Sequence, residues 1–134
     1  MTEPEIDSTP FLPSDYPIIA GQWADFAAAV ALFNQGQFFA AHEAWEALWI
    51  HSAGPEKTLL QGLIQLSVAL HHHQRGNHKG AAGVFRRAQM RILSLSPIPW
   101  LSLEGLDKLS TEINSTGAAD GDLRPQIRIL KVSD

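Results

Sequence analysis

The sequence contains no cysteine among its 134 residues. Disulfide scaffolds, zinc sites with thiolate ligands and catalytic cysteine nucleophiles are therefore excluded. No apolar run approaches the roughly 18 residues that a membrane span requires. Residues 1–16 contain no basic residue and no apolar core, so they do not resemble a secretory signal. With 45% hydrophobic residues, the composition predicts a soluble, cytoplasmic, single-domain protein with a substantial core.

The charged residues are unevenly distributed along the chain. Residues 1–22 contain four acidic and no basic side chains, whereas residues 57–103 contain six basic and no acidic ones. Such a basic stretch can contact RNA or an acidic partner. No aromatic residue lies within the run from Arg86 to Arg91, so we do not expect a nucleic-acid partner, and a solvated helix face explains the pattern more simply. The candidate basic face consists of Arg75, Arg86, Arg87 and Arg91.

Apolar residues recur at helical spacing over most of the chain. They predict helices over about 23–34, 38–50, 55–75 and 78–95, and a shorter fifth helix between 103 and 113, with Gly, Pro or Asn at most of the breaks. The predicted fold is all-α, a single compact bundle of four to five short helices formed by two packed helical hairpins. The predicted parts are a flexible, Pro-rich acidic lead-in (1–22), the helical bundle (23–115) and an extended or loosely docked tail with no sheet to join (116–134).

Two similar turn sequences raise the question of a helical repeat. Asn34-Gln35-Gly36 and Arg75-Gly76-Asn77 are each followed by a predicted helix, as in tetratricopeptide units. The spacing is about 41 residues, but only one pair is present, and such arrays need three or more units to be stable. We therefore interpret the pattern as two hairpins packed together rather than as a solenoid.

The densest motif lies in residues 33–49, which read FNQGQFFAAHEAWEALW, and LQGLIQL follows at residues 60–66. The order of these motifs resembles the small helical family catalogued as domain of unknown function 309, over about residues 26–110. The resemblance implies an all-helical bundle. It implies no activity, because none is established for the family.

The second predicted helix carries the H-E-x-W-E motif on an aromatic side. Glu46 lies about 40° around the helix from His42, and Glu43 about 100° away. His42 and Glu46 can therefore address one point, while Glu43 points elsewhere. The residues that share the side of His42 are Phe38, Trp45 and Trp49.

The third predicted helix carries a polar strip of Gln61, Gln65 and His72. This strip either faces solvent or meets His42 and Glu46 across the helix interface, with Gln65 as the best-placed partner. Glu46 or Gln65 could also accept hydrogen bonds from the tryptophan N–H groups of the motif. The simplest interpretation is a buried, structural hydrogen-bond network, because polar groups inside a small core must be paired.

The leading functional hypothesis is a non-enzymatic binding or interaction module without a cofactor or metal. Its groove would lie between the second and third helices and hold a peptide or helix of an unidentified protein partner. Homodimerisation is also plausible, because the four Trp and six Phe leave apolar surface to spare. The candidate residues are Phe39, His42, Glu43, Trp45, Glu46, Trp49, Gln61, Gln65 and His72.

Two alternatives stay open, so the sequence leaves enzymatic activity undecided. One is a metal-dependent, hydrolase-like enzyme, with Glu43 as the base and His42, Glu46 and His72 as ligands. H-E-x-x-E departs from the zincin motif H-E-x-x-H at its last position. The other alternative is binding of RNA or an acidic partner by the basic face. The tract of residues 71–73 cannot chelate one ion from a regular helix, because its three rings point in three directions.

Overall fold

Helices form most of the chain that the structure describes. The computed structural model describes residues 15–95, 97–114 and 125–130. The predicted all-α bundle is confirmed, with a minor two-stranded sheet added to it. In chain order the elements are α1 (Pro17–Gly21), α2 (Trp23–Asn34), α3 (Phe38–Trp49), α4 (Gly54–Gln74), α5 (His78–Leu93), β1 (Leu101–Glu104), α6 (Leu106–Asn114) and β2 (Gln126–Ile129).

The first described element, α1, lies in the predicted flexible lead-in and differs from that prediction. Its proline occupies the first helical turn, where a missing N–H is tolerated. The carboxylate of Glu56, on α4, accepts hydrogen bonds from the backbone N–H groups of Ile18 at 3.1 Å and Ile19 at 2.7 Å. A buried carboxylate at a helix N-terminus is stabilised by those donors and by the helix dipole. The rest of the lead-in, residues 1–14, lies outside the described residues.

The last described element, β2, pairs with β1 in an antiparallel register that runs from Leu101↔Ile129 to Glu104↔Gln126. The prediction that this segment has no sheet to join was therefore wrong. Its partner, β1, has only four residues and lies far away in the sequence. So short a strand does not produce a recognisable alternation of apolar and polar residues. The side chain of Asn34, at the end of α2, extends the pairing by donating to the Ile127 carbonyl at 2.9 Å and accepting from the Ile127 N–H at 2.8 Å. The remaining tail, residues 115–124 and 131–134, is outside the described residues.

The two hairpins, α2–α3 and α4–α5, have the same turn with an offset of 40 residues. Gly36 and Gly76 adopt positive φ angles of 83° and 84°. Such angles favour glycine because it has no Cβ. Each turn is followed by a ring pair: Phe33 and Phe38 lie 5.1 Å apart, and the equivalent His73 and His78 lie 4.5 Å apart. The interpretation as two packed hairpins agrees with this geometry.

The core is built around buried aromatic rings. Trp100 is fully buried and lies edge-on to the Tyr16 ring at 5.2 Å, which brings the start of the described chain against the segment after α5. Trp45 is also fully buried and lies 5.9 Å from the Phe33 ring. Within residues 15–95, 97–114 and 125–130, none of the helices has the length and hydropathy needed to cross a bilayer.

Helix α4 packs against α3 on one side and α5 on the other. A Cβ atom at Gly62 would lie 2.8 Å from Cγ1 of Ile92 and 3.5 Å from Cβ of Arg91, so only glycine permits this approach of α5. Gly83, on α5, has open space around it instead. The two positions form a matched pair for testing how tightly α4 and α5 must pack.

We expect Gly62→Ala to lower the free energy of unfolding relative to Gly83→Ala by about 1–3 kcal/mol, the usual cost of overpacking. Both substitutions gain up to about 1 kcal/mol of helix propensity, but only Gly62→Ala forces Ile92 to move. Urea unfolding of the two variants measures the difference. If both substitutions stabilise the protein equally, then α4 and α5 can move apart at Gly62 without loss of stability.

The buried His73, which lies against the partly exposed His78, predicts a pH-dependent stability. Nδ1 of His73 lies 3.0 Å from Nδ1 of His78, and His73 is only 3% exposed. Burial, followed by the charge of His78, lowers the pKa of His73, while Glu112 on α6 acts in the opposite direction. Below about pH 6.5, the ordinary histidine pKa, the unfolded chain therefore binds a proton that the native state does not bind.

We expect the stability of the wild type to fall as the pH drops from about 6.5 towards the lowered pKa of His73, by at most about 1.4 kcal/mol per pH unit for this group. His73→Phe/His78→Phe reproduces the ring pair of the first hairpin and should reduce that fall. Urea unfolding at several pH values between 5 and 8 measures it. His51→Phe, at an exposed position, is the control. If the free energy of unfolding falls with pH as steeply in the double variant as in the wild type, His73 is not the group that causes the fall.

Candidate functional site

The outward side of α4 forms a half-buried strip between its two neighbouring helices. Gln61, Gln65, Val68 and His72 recur along this strip, and all four are partly exposed. Because α3 and α5 flank the strip, a ligand that contacts it also contacts both of them. We call this strip and the side chains of α3 and α5 that border it the α4 face.

The α3 border of the α4 face is aromatic and partly apolar. The Phe39 ring lies 4.6 Å from the His42 ring and 5.1 Å from the His71 ring of α4. At the other end of α3, Nζ of Lys57 lies 4.6 Å from the centre of the Trp49 ring, a cation–π distance. These two contacts show that α3 and α4 run antiparallel. They also leave Phe39 50% exposed at one end of the face.

The α5 border is basic and contains an open cavity. Nε of Arg91 donates a hydrogen bond to Oε1 of Gln65 at 3.0 Å. Next to it lies a cavity of about 330 Å³ that is lined by Thr58, Arg87, Met90, Arg91 and Ser94. Met90 is 67% exposed at its edge. The cavity is therefore lined by hydroxyl, guanidinium and thioether groups.

The two borders carry opposite charges. Glu43 and Glu46 are exposed on α3, and Arg87 is exposed on α5. Oε1 of Glu46 lies 3.8 Å from Nε2 of His42, and its side chain is still 54% exposed. The α4 face is therefore acidic on one side and basic on the other.

One end of the face is aromatic. Burial lowers the pKa of His71 from its ordinary value, and the nearby charges of Arg75, His72 and His42 act in the same direction. His71 is therefore neutral at pH 7. Its ring extends the apolar contact made by Phe39.

The predicted network around the H-E-x-W-E motif is not the one that the structure contains. Nδ1 of His42 donates to the carbonyl oxygen of Phe39, one turn earlier in the same helix. Gln65, the expected partner across the interface, instead accepts from Arg91. The two helical sides of α4 explain this: Gln65 lies on the side that faces α5, whereas Lys57 and His71 lie on the side that faces α3.

The tryptophans of the motif also differ from expectation. Trp45 is fully buried in the core and does not reach the α4 face. Among the described residues, the indole N–H groups of Trp45 and Trp49 have no hydrogen-bond partner, so neither Glu46 nor Gln65 accepts from them. Trp49 borders the face through its ring alone.

The remaining predicted residues divide between the α4 face and other surfaces. Gln61 and His72 lie on the α4 strip, as the helical spacing predicts. Arg87 and Arg91 border the face, whereas Arg86 is one residue, about 100°, around α5 from Arg87 and lies on the other flank. Arg75 is exposed in the second turn. Within the part of the chain that the structure describes, no group of three His, Asp or Glu side chains is close enough to hold a metal ion.

Sequence reasoning missed several residues of the α4 face. Lys57, Thr58, His71 and Met90 border it, and Ile50 is 64% exposed at the end of α3. The apolar side of α4 that contains Ile64 and His71 is visible in the sequence and could have predicted the contact with α3. An exposed apolar residue such as Met90 gives no signal in the sequence, because its spacing alone does not show which neighbour it meets.

The comparisons with known proteins give a match to a family model over part of the chain. Residues 26–84 match the model of the family described as "Domain of unknown function (DUF309)". Over this stretch, which is less than half of the chain, the protein is similar to that family. The match confirms the resemblance predicted from the motifs. No curated protein and no solved structure matches the chain.

The matched stretch contains only part of the α4 face. The DUF309 match runs from Phe26 to Val84, so it includes all of α3 and α4. It ends before Arg87, Met90 and Arg91, the residues that form the basic border. The acidic border and the strip thus lie inside the DUF309 match, and the basic border lies beyond it.

A comparison of two aromatic residues of α3 separates the face from the core. We expect Trp45→Ala to lower the free energy of unfolding by about 3–5 kcal/mol, because it empties a fully buried position. Phe39→Ala should cost about 1 kcal/mol or less, since half of that side chain is already exposed. Thermal and urea unfolding measure both values. A large loss for Phe39→Ala would make this residue structural and remove it from the face.

Proposed function

We propose that this protein is a binding module that holds an amphipathic helix of a partner protein against the α4 face. One observation carries the proposal: three large apolar side chains are at least half exposed along the two borders of the half-buried strip, namely Phe39 on α3, Ile50 directly after α3, and Met90 on α5. Covering apolar surface contributes about 25 cal/mol per Å². A helix with apolar residues along one side is the ligand that commonly occupies such a surface.

The charges of the two borders add a requirement on the partner. A helix that lies along the strip has the acidic side chains of α3 on one flank and those of Arg87 and Arg91 on the other. Its own flanks should therefore be basic towards α3 and acidic towards α5, which fixes the direction in which it binds. We also propose that the protein acts in the cytoplasm, as its cysteine-free composition suggests.

The two alternative functions receive less support from the geometry. In the enzyme hypothesis His42 and His72 must address one point, but it is His71, rather than His72, that meets the ring of Phe39 beside His42. In the basic-face hypothesis the arginines must form one surface, but Arg86 and Arg87 lie on different flanks of α5. Arg91 is moreover engaged by Gln65.

Selection from a phage-displayed library of amphipathic helices tests the proposal. We expect selected peptides to lose at least tenfold in affinity for Phe39→Ser/Ile50→Ser/Met90→Ser, measured by fluorescence anisotropy, because that variant removes the apolar contacts without touching the core. Leu93→Ser is the control: Leu93 is 56% exposed, but it lines a different cavity, next to β1 and α6. Equal affinities for the triple variant and the wild type would refute the α4 face as the binding site.

A further inference from the structure

The acidic and basic borders of the α4 face lie at the same height along α4. On the α5 side, Gly62 of α4 lies against Arg91 and Ile92. On the α3 side, the contacts Lys57–Trp49 and His71–Phe39 mark the two ends. The middle of α4 is therefore level with the middle of α3, between Glu43 and Glu46.

The two bordering helices also run in the same direction. Helix α3 is antiparallel to α4, and α5 follows α4 through a tight turn and is antiparallel to it as well. The repeat therefore places two parallel helices on either side of one central helix. One carries Glu43 and Glu46, and the other carries Arg87 and Arg91.

We infer that the partner of the α4 face is a second copy of this chain, related to the first by a two-fold axis parallel to α4. This inference rests on the proposed binding function of the face. A rotation about that axis puts α3 of each copy over α5 of the other at the same height, so that each acidic border meets a basic one. Closed two-fold dimers are the commonest form of self-association.

The alternative two-fold arrangement is disfavoured by charge. An axis that lies across the helices puts α3 over α3 and α5 over α5, so Glu43 and Glu46 would meet their own copies. Like charges placed against each other across an interface are costly. The axis parallel to α4 instead pairs opposite charges twice, once on each side of the strip.

The same arrangement covers the exposed apolar side chains. Ile50 and Met90 are more than 60% exposed in the single chain, and both lie on helices that the second copy covers. The cavity beside Arg87 is open towards the second copy and can receive a carboxylate side chain from its acidic border. Apolar contact then provides affinity, and the charge pairs determine the orientation.

Charge reversal across the interface tests the inference. Glu43→Arg/Glu46→Arg makes both borders basic, and Arg87→Glu/Arg91→Glu makes both borders acidic. We expect each variant alone to dissociate at least tenfold more readily than the wild type, as measured by sedimentation equilibrium. In an equimolar mixture, every basic border meets an acidic one, so the mixture should form heterodimers with an affinity within about threefold of the wild type.

Controls separate charge from folding. Arg86→Glu makes the same change as Arg87→Glu, but on the other flank of α5, and should leave the dimer unchanged. Circular dichroism and thermal melting establish that each variant is folded. If Arg87→Glu/Arg91→Glu is unfolded because Gln65 loses its partner, the single Arg87→Glu variant replaces it in the mixture with Glu43→Arg/Glu46→Arg. Because Arg91 is retained there, this mixture should associate more tightly than Glu43→Arg/Glu46→Arg alone but less tightly than the wild type.

A wild type that stays monomeric up to about 1 mM would overturn the dimer, as would variants whose mixture fails to associate. These results are distinguishable from failure of the proposed function. A monomeric wild type that still binds selected helices at the α4 face refutes only the second copy as partner. A wild type that neither dimerises nor binds such helices through this face refutes both.

Discussion

Helix α4 is packed along both of its sides, and the other features of the bundle depend on this constraint. One side of α4 meets α3 through Lys57 and His71, and the other meets α5 at Gly62 and Gln65. A helix with two apolar sides retains only a narrow outward strip. In this protein that strip is half-buried, because the flanking helices rise on either side of it. The α4 face is thus a direct consequence of how the core is packed.

The two hairpins have one backbone plan and different side chains. Their turns have nearly identical glycine conformations, but the Phe33–Phe38 pair of the first is replaced by the His73–His78 pair in the second. Apolar rings tolerate burial at any pH, whereas burial lowers the pKa of His73, so its native position costs stability on acidification. We therefore expect the second ring pair, rather than the first, to make the stability depend on pH, although both hairpins fold alike.

Elements outside the two hairpins are attached by a few polar side chains in addition to apolar packing. Glu56 holds the short helix α1 through two backbone N–H groups, and Asn34 holds β2 through one donated and one accepted hydrogen bond. Each side chain satisfies backbone groups that would otherwise be unpaired at a buried position. Both residues belong to the hairpins, so the hairpins supply the side chains that hold the outer elements.

The sequence alone determined the helices and their amphipathic sides, because hydrophobic periodicity and Gly and Pro breaks are local signals. It placed Phe39, Gln61 and His72 on the correct surfaces for that reason. Only the tertiary structure decided which neighbour each side meets: Gln65 faces Arg91 rather than His42, and Trp45 enters the core rather than a groove. The tertiary structure likewise decided that α1 and β2 dock on the bundle. Helical spacing fixes the angle between two side chains on one helix. The rotation of that helix about its own axis, relative to its neighbours, depends on how the side chains of all the helices pack into one core.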